Sequence, residues 1–175
     1  PEPPGRCPHI GCRAYVKQKK HGFYQRNIIS VEFTGTIYIR RYICPVCGKT
    51  LSMLPMFCLP YYQYSLQAIV FILCEYFCKL KSLSGIIREQ QKIYPAIERR
   101  HIRLYRQRFE SNRALIDYGM NNISPGGTLT GNHPEIHVWA KEILDEMVKI
   151  PPSIFNQKFH QETQKSFMSR IKMIA

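Results

Sequence analysis

Cys7, Cys12, Cys44 and Cys47 constrain this chain more than any other feature. They form two tight pairs, C-x4-C and C-x2-C, separated by 31 residues. Turn formers accompany each pair, Pro8 and Gly11 in the first, Pro45 and Gly48 in the second. A short loop of this kind aims two thiolates at one point, and two loops complete a tetrahedron. That is the ligand logic of a closed structural zinc site, with Zn–S near ~2.3 Å and no open position. An N-terminal module of about 50 residues buries too little apolar surface to fold firmly by itself, and metal binding supplies the missing folding energy. His9, inside the first pair, is the alternative ligand for one cysteine.

Other readings of the cysteines are weaker. The opening segment PEPPGRCPHIGC has no long apolar run of the secretory kind, and seven cysteines is an odd number for a disulfide framework. The C-x-x-C pair lacks the strand-to-helix setting of a redox motif. Cys58 reads as a buried thiol. Cys74 and Cys78, four apart on one helix, read as small core hydrophobes.

The formal charge of +13 points to a polyanionic partner. It is concentrated early: residues 1–134 hold 19 Lys/Arg against 7 Asp/Glu, and residues 135–175 hold 6 against 5. The most apolar run, residues 66–80, contains Gln67, Glu75 and Lys79 and is too short for a membrane span, so no membrane partner is expected.

Residues 1–60 read as loops and strands. β-branched and aromatic residues predict strands over 27–33 and 36–43, leading into the second cysteine pair. Two knuckles joined by a small antiparallel sheet follow the zinc-ribbon plan. Residues 52–65 read as a linker, broken by Pro55 and Pro60. Ser65 is the expected N-cap of a helix whose buried face is Leu66, Ile69, Val70, Leu73, Phe77 and Leu80. A second helix is expected over 82–93, and a third from Ala96 to near Gly119. This trihelical order matches a helix-turn-helix.

On the third helix, Arg99, Arg103, Arg106 and Arg113 gather on one arc, with Arg100 between that arc and the apolar one on the other side. Few acids accompany them, and guanidinium forks suit phosphate and the guanine edge, so these five are the expected DNA contacts. Lys17, Lys19, Lys20, Arg26, Arg40 and Arg41 add expected phosphate contacts from the ribbon. Phe23, Tyr24 and Tyr38 could stack on bases, which keeps RNA as an alternative partner.

Residues 119–134 form a Gly/Asn/Pro-rich loop. Its SPGGTLTG stretch is superficially similar to a phosphate loop but lacks the G-K-[ST] ending. His133 and His137 are a weak metal pair, with Pro134 between them. The tail holds an amphipathic segment with Ile136, Trp139, Ala140, Ile143, Leu144 and Met147 on one face, then Ile154, Phe155, Phe159 and Phe167. These apolar faces either pack on the helical domain or support self-association.

The stretch from Arg40 to Tyr61 resembles small zinc-ribbon, helix-turn-helix proteins associated with bacterial insertion-sequence transposases. The matching positions are Arg40, Arg41, Cys44, Cys47, Thr50, Ser52, Leu54, Pro55, Pro60 and Tyr61, with Cys7 and Cys12 as the upstream knuckle. The resemblance covers about residues 7–80. It implies DNA binding linked to transposition, a transposase as a further partner, and a cytoplasmic, nucleoid-associated location in a bacterium. It does not imply that the chain is itself a transposase.

No catalytic constellation stands out. The chain has two aspartates, Asp117 and Asp145, both in expected helices, whereas metal-dependent strand transfer needs three carboxylates around two ions. The expectation is therefore an α+β protein without catalysis. It comprises a zinc ribbon with linker (1–60), a helix-turn-helix-like three-helix domain (61–119), and a loop with helical tail (120–175). Its expected cofactor is Zn2+ and its expected partner DNA. The alternatives are a zinc-stabilised protein–protein adaptor for a transposase or polymerase, and an inactive recombinase fragment.

Overall fold

The computed structural model describes residues 2–124 and 133–170. The fold is α+β: a three-stranded sheet precedes six helices among the described residues. The strands are β1 (Lys19–Ile29), β2 (Thr34–Ile43) and β3 (Thr50–Met53), hydrogen-bonded in the order β1-β2-β3. The helices are α1 (Leu66–Phe77), α2 (Leu83–Gln90), α3 (Arg99–Ser111), α4 (Arg113–Ile123), α5 (Ile136–Met147) and α6 (Pro152–Thr163). None of the described helices is long and apolar enough to cross a membrane. The chain divides into two compact units, one of residues 1–28 and 34–55, the other of residues 29–33 and 56–175.

In the first unit β2 and β3 are antiparallel, with Arg40 opposite Met53 and Ile43 opposite Thr50. Side-chain pairs link β1 to β2. The Arg40 guanidinium lies 3.7 Å from the Phe23 ring centre, Gln25 donates to the Tyr38 hydroxyl at 3.0 Å, and Thr36 donates to Asn27 at 2.9 Å. These pairs step by two residues in opposite directions, as neighbours on one face of an antiparallel pair do. The buried apolar side chains of this unit are few among the described residues: Cys7, Ile28, Ile39, Tyr42 and Cys44.

The strand boundaries differ from expectation. The first strand starts at Lys19 and ends at Ile29, and residues 30–33 form a turn. Ser30 explains the turn: its amide and hydroxyl both donate to the Phe33 carbonyl, and its oxygen accepts from the Phe33 amide, so a local bond replaces the ladder. The beginning of the expected linker is instead β3.

In the second unit α1 is the central helix, packing against α2, α3, α5 and α6. Ser65 caps it by accepting from the Ala68 amide at 3.2 Å. Its face of Leu66, Ile69, Val70, Leu73 and Phe77 is buried in the main core, while Leu80 is exposed beyond the helix end. Cys58 is buried, and Cys74 and Cys78 pack partly buried against the core. Trp139, Ala140, Ile143, Leu144 and Met147 of α5 enter the same core with Phe155, Phe159 and Phe167.

The expected third helix is two helices. The chain breaks at Asn112, whose backbone takes φ −94° and ψ 13°. The Asn112 side chain, 1% exposed, donates to the carbonyls of Phe167 at 2.7 Å and Ser169 at 2.9 Å. That distant partnership fixes the bend. Nor does Gly119 end a helix. It lies inside α4, where an added Cβ would stand 2.4 Å from the Phe159 ring.

Candidate functional site

The four cysteines converge within the first unit. Their sulfurs all lie within 4.8 Å of one another. Two of the approaches cross between the pairs, Cys7 Sγ to Cys47 Sγ at 3.8 Å and Cys12 Sγ to Cys44 Sγ at 3.9 Å. A disulfide would need a sulfur separation near ~2.05 Å. Four thiolates tetrahedrally placed at ~2.3 Å from one ion are separated by about 3.8 Å. The cluster therefore has the dimensions of a metal centre, and these four residues could hold a metal ion.

Local backbone bonds aim the sulfurs. In the first knuckle the amides of Cys12 and Arg13 donate to the His9 carbonyl, and the Cys7 amide donates to Ala14. Arg13 takes φ 53° to close that turn. In the second the Gly48 amide donates to the Cys44 carbonyl and the Cys44 amide to Lys49. Gly48 sits at φ 66°, a left-handed conformation glycine adopts without strain. His9 contributes its carbonyl to the knuckle, and its imidazole is not part of the sulfur cluster.

Burial pushes the Cys7 thiol up to about 12, whereas the backbone amides of Cys47 and Val46 draw Cys44 down to about 7 against its burial. Cys7 and Cys44 are buried, Cys12 and Cys47 half-buried. Bringing four thiolates together needs a cation at their centre. Among the described residues no other group of three or more His, Cys, Asp or Glu side chains is placed to share a metal ion. His133 Nε2 lies 3.1 Å from Glu142, while His137 packs against the Tyr76 and Phe77 rings. Most of the phosphate-loop-like stretch lies outside the described residues.

The basic residues fall into two groups. Exposed on α3, Arg99 donates to the Ser84 hydroxyl at 2.8 Å, Arg100 pairs with Glu98 at 3.0 Å, and Arg103 faces solvent. Arg106 and Arg113 are built into the fold. Arg106 donates to the Tyr76 hydroxyl at 3.0 Å and pairs with Glu110. Arg113 donates to the His133 carbonyl, lies 5.1 Å from the Trp139 ring centre and pairs with Asp117. Lys17, Lys19 and Lys20 are exposed on the first unit, and Arg26 is half-buried there. Arg40 covers Phe23, and Arg41 donates to Thr50 at 3.2 Å. Phe23 and Tyr38 are exposed, and Tyr24 half-buried.

One feature was hidden in the sequence. A cleft of about 850 Å³ in the second unit is lined by Tyr61, Tyr62, Arg108, Lys165 and Arg170, among others. These residues are far apart along the chain, so no local pattern marks them.

A family model described as a domain of unknown function (DUF6431) matches residues 7–84. The matched region takes in both knuckles, the sheet, α1 and the start of α2. No curated protein and no solved structure matches the chain.

Proposed function

We propose that the chain is a zinc-dependent, non-catalytic DNA-binding protein related to transposition. The carrying observation is a four-sulfur centre inside a strongly basic unit: residues 1–28 and 34–55 hold nine Lys/Arg against Glu2 alone. Zinc is the cation that four thiolates in a tetrahedron suit best. The ion closes a zinc ribbon, holding the two knuckles at the head of the sheet and contributing folding energy that the small core does not supply. Lys17, Lys19, Lys20, Arg26, Arg40 and Arg41 meet phosphates.

In the second unit α1, α2 and α3 pack mutually, which supports the helix-turn-helix reading. The link between α2 and α3, residues 91–98, is longer than the three or four residues of the usual turn. Arg99, Arg100 and Arg103 carry DNA contact there, whereas Arg106 and Arg113 support it by fixing α3 and α4. The transposition link, and with it a location on bacterial DNA in the cytoplasm, rests on the resemblance of the Arg40–Tyr61 stretch. The non-catalytic reading is supported by Asp117, which is engaged with Trp139 and Arg113.

The test is metal content by elemental analysis before and after chelation, with a DNA mobility shift on the same samples. One zinc per chain and loss of the shift on chelation are expected. Arg99→Ala with Arg103→Ala should weaken binding and lower the salt slope by about one for each phosphate no longer neutralised. One zinc without a shift would favour the adaptor alternative. Metal-dependent nicking by the pure protein would restore the recombinase reading.

A further inference from the structure

Tyr61 combines two unfavourable features. Its side chain is fully exposed, at 101% of the reference area. Its backbone sits at φ 69°, a left-handed conformation costly for a residue with a Cβ and a bulky ring. No burial offsets either cost. Such a position points to a role outside the fold, and the surroundings show which one.

Tyr61 lies at the cleft of about 850 Å³, whose ionisable lining consists of cations and tyrosines: Arg108 from α3, Lys165 and Arg170 from the C-terminal segment, with Tyr62 beside them. No carboxylate lines it among the described residues. The wall is held firmly. Asn112 binds the carbonyls of Phe167 and Ser169, and the Tyr62 hydroxyl donates to the Met168 carbonyl at 2.9 Å. The Thr163 hydroxyl donates to the Lys165 carbonyl and accepts from the Lys165 amide. Buried Phe167 and Met168 anchor the same turn. The cations are thus presented on ordered backbone, the arrangement that keeps the entropic cost of binding low.

We infer that this cleft is a binding site for single-stranded nucleic acid, with a base stacked on Tyr61 and phosphates held by Arg108, Lys165 and Arg170. A flat exposed aromatic beside a carboxylate-free group of cations is the combination that takes a base by its face and a backbone by its charge. The volume exceeds that needed for one phosphate and suits more than one nucleotide unit. The choice of nucleic acid rests on the proposed function, but the cleft shares no lining residue with the Arg99 and Arg103 surface or the sulfur centre.

The experiment uses the full chain loaded with zinc, and fluorescence anisotropy with a labelled single-stranded oligothymidylate and a labelled duplex. Tyr61→Gly is the first variant, because glycine takes φ 69° freely and its melting temperature should be no lower than that of the parent. Lys165→Ala with Arg170→Ala is the second, at two exposed positions. Tyr61→Gly should weaken single-strand binding about tenfold. The double change should lower the single-strand salt slope by about 0.7 for each cation removed. Duplex affinity should hold in the Tyr61 variant. Single-strand binding that neither variant alters overturns the cleft site while leaving the DNA-binding reading intact. Failure of the parent chain to bind either oligonucleotide removes both.

Discussion

Glu75 places a carboxylate on the buried side of α1, where its side chain is 2% exposed. Burial pushes its proton affinity up, but hydrogen bonds and charge from Lys79 and Lys81, each 2.5 Å away, outweigh burial and hold it below the usual carboxylate range. The folded value is thus lower than the unfolded one. The stabilisation is complete above the ordinary glutamate value near ~4.3 and is lost as pH falls through the folded value. Glu75→Gln should cost about 2 kcal/mol at pH 7, less than a fully buried pair because Lys79 is 57% exposed. Urea unfolding of both proteins at pH 7 and near pH 3 checks this. The difference should shrink at low pH, and an equal difference at both would mean that the ion pair is not its source.

Among the elements, α1 and α5 were legible because their burial is periodic and local. Ser65 caps where its hydroxyl can reach the third residue ahead, and the α5 face falls on one stripe. The break at Asn112 was not legible, because its cause is a pair of carbonyls more than fifty residues later. Gly119 misled for a related reason. It looks like a helix terminator, yet its role is to let α4 approach α6. Alanine is favoured over glycine by about 1 kcal/mol in a helix interior. Gly119→Ala should nevertheless destabilise the protein by about 1–3 kcal/mol, because Phe159 is 1% exposed, stacked on Phe155 and edge-on to Phe167. A rise in melting temperature for this variant would show that the ring yields easily. The first strand was misjudged because its opening residues, Lys19, Lys20, His21 and Gly22, are all exposed and carry no apolar side chain, so no alternation marks where it starts.

For the whole molecule, the division into two units separates two sources of stability. The second unit holds the large apolar core, while the first has few buried apolar side chains and the sulfur centre. Cysteine spacing alone disclosed that centre, since short loops leave little choice of geometry. Spacing could not disclose the cleft, whose lining is assembled from three separate stretches of chain. Removing the metal, or replacing Cys44 and Cys47 by serine, should unfold the first unit and leave the second with its helical circular dichroism and a cooperative melt. Amide hydrogen exchange resolves the two: β1–β3 should lose protection while α1 and α5 keep theirs. Simultaneous collapse of both would show that they fold as one.

The crosswise closeness of Cys7 to Cys47 and Cys12 to Cys44 also sets an order of events. One pair of cysteines precedes the β1–β2 hairpin and the other follows it, so an ion held by all four would complete its shell only after that hairpin has drawn the ends of a long loop together. A nascent chain emerging from the ribosome exposes the first pair early, but two thiols alone make a loose, exchangeable ligand set. Tight capture waits for Cys47. A metal ion bound here would therefore load late and record a closed β1–β2 hairpin, and its later release would mark a hairpin that has opened.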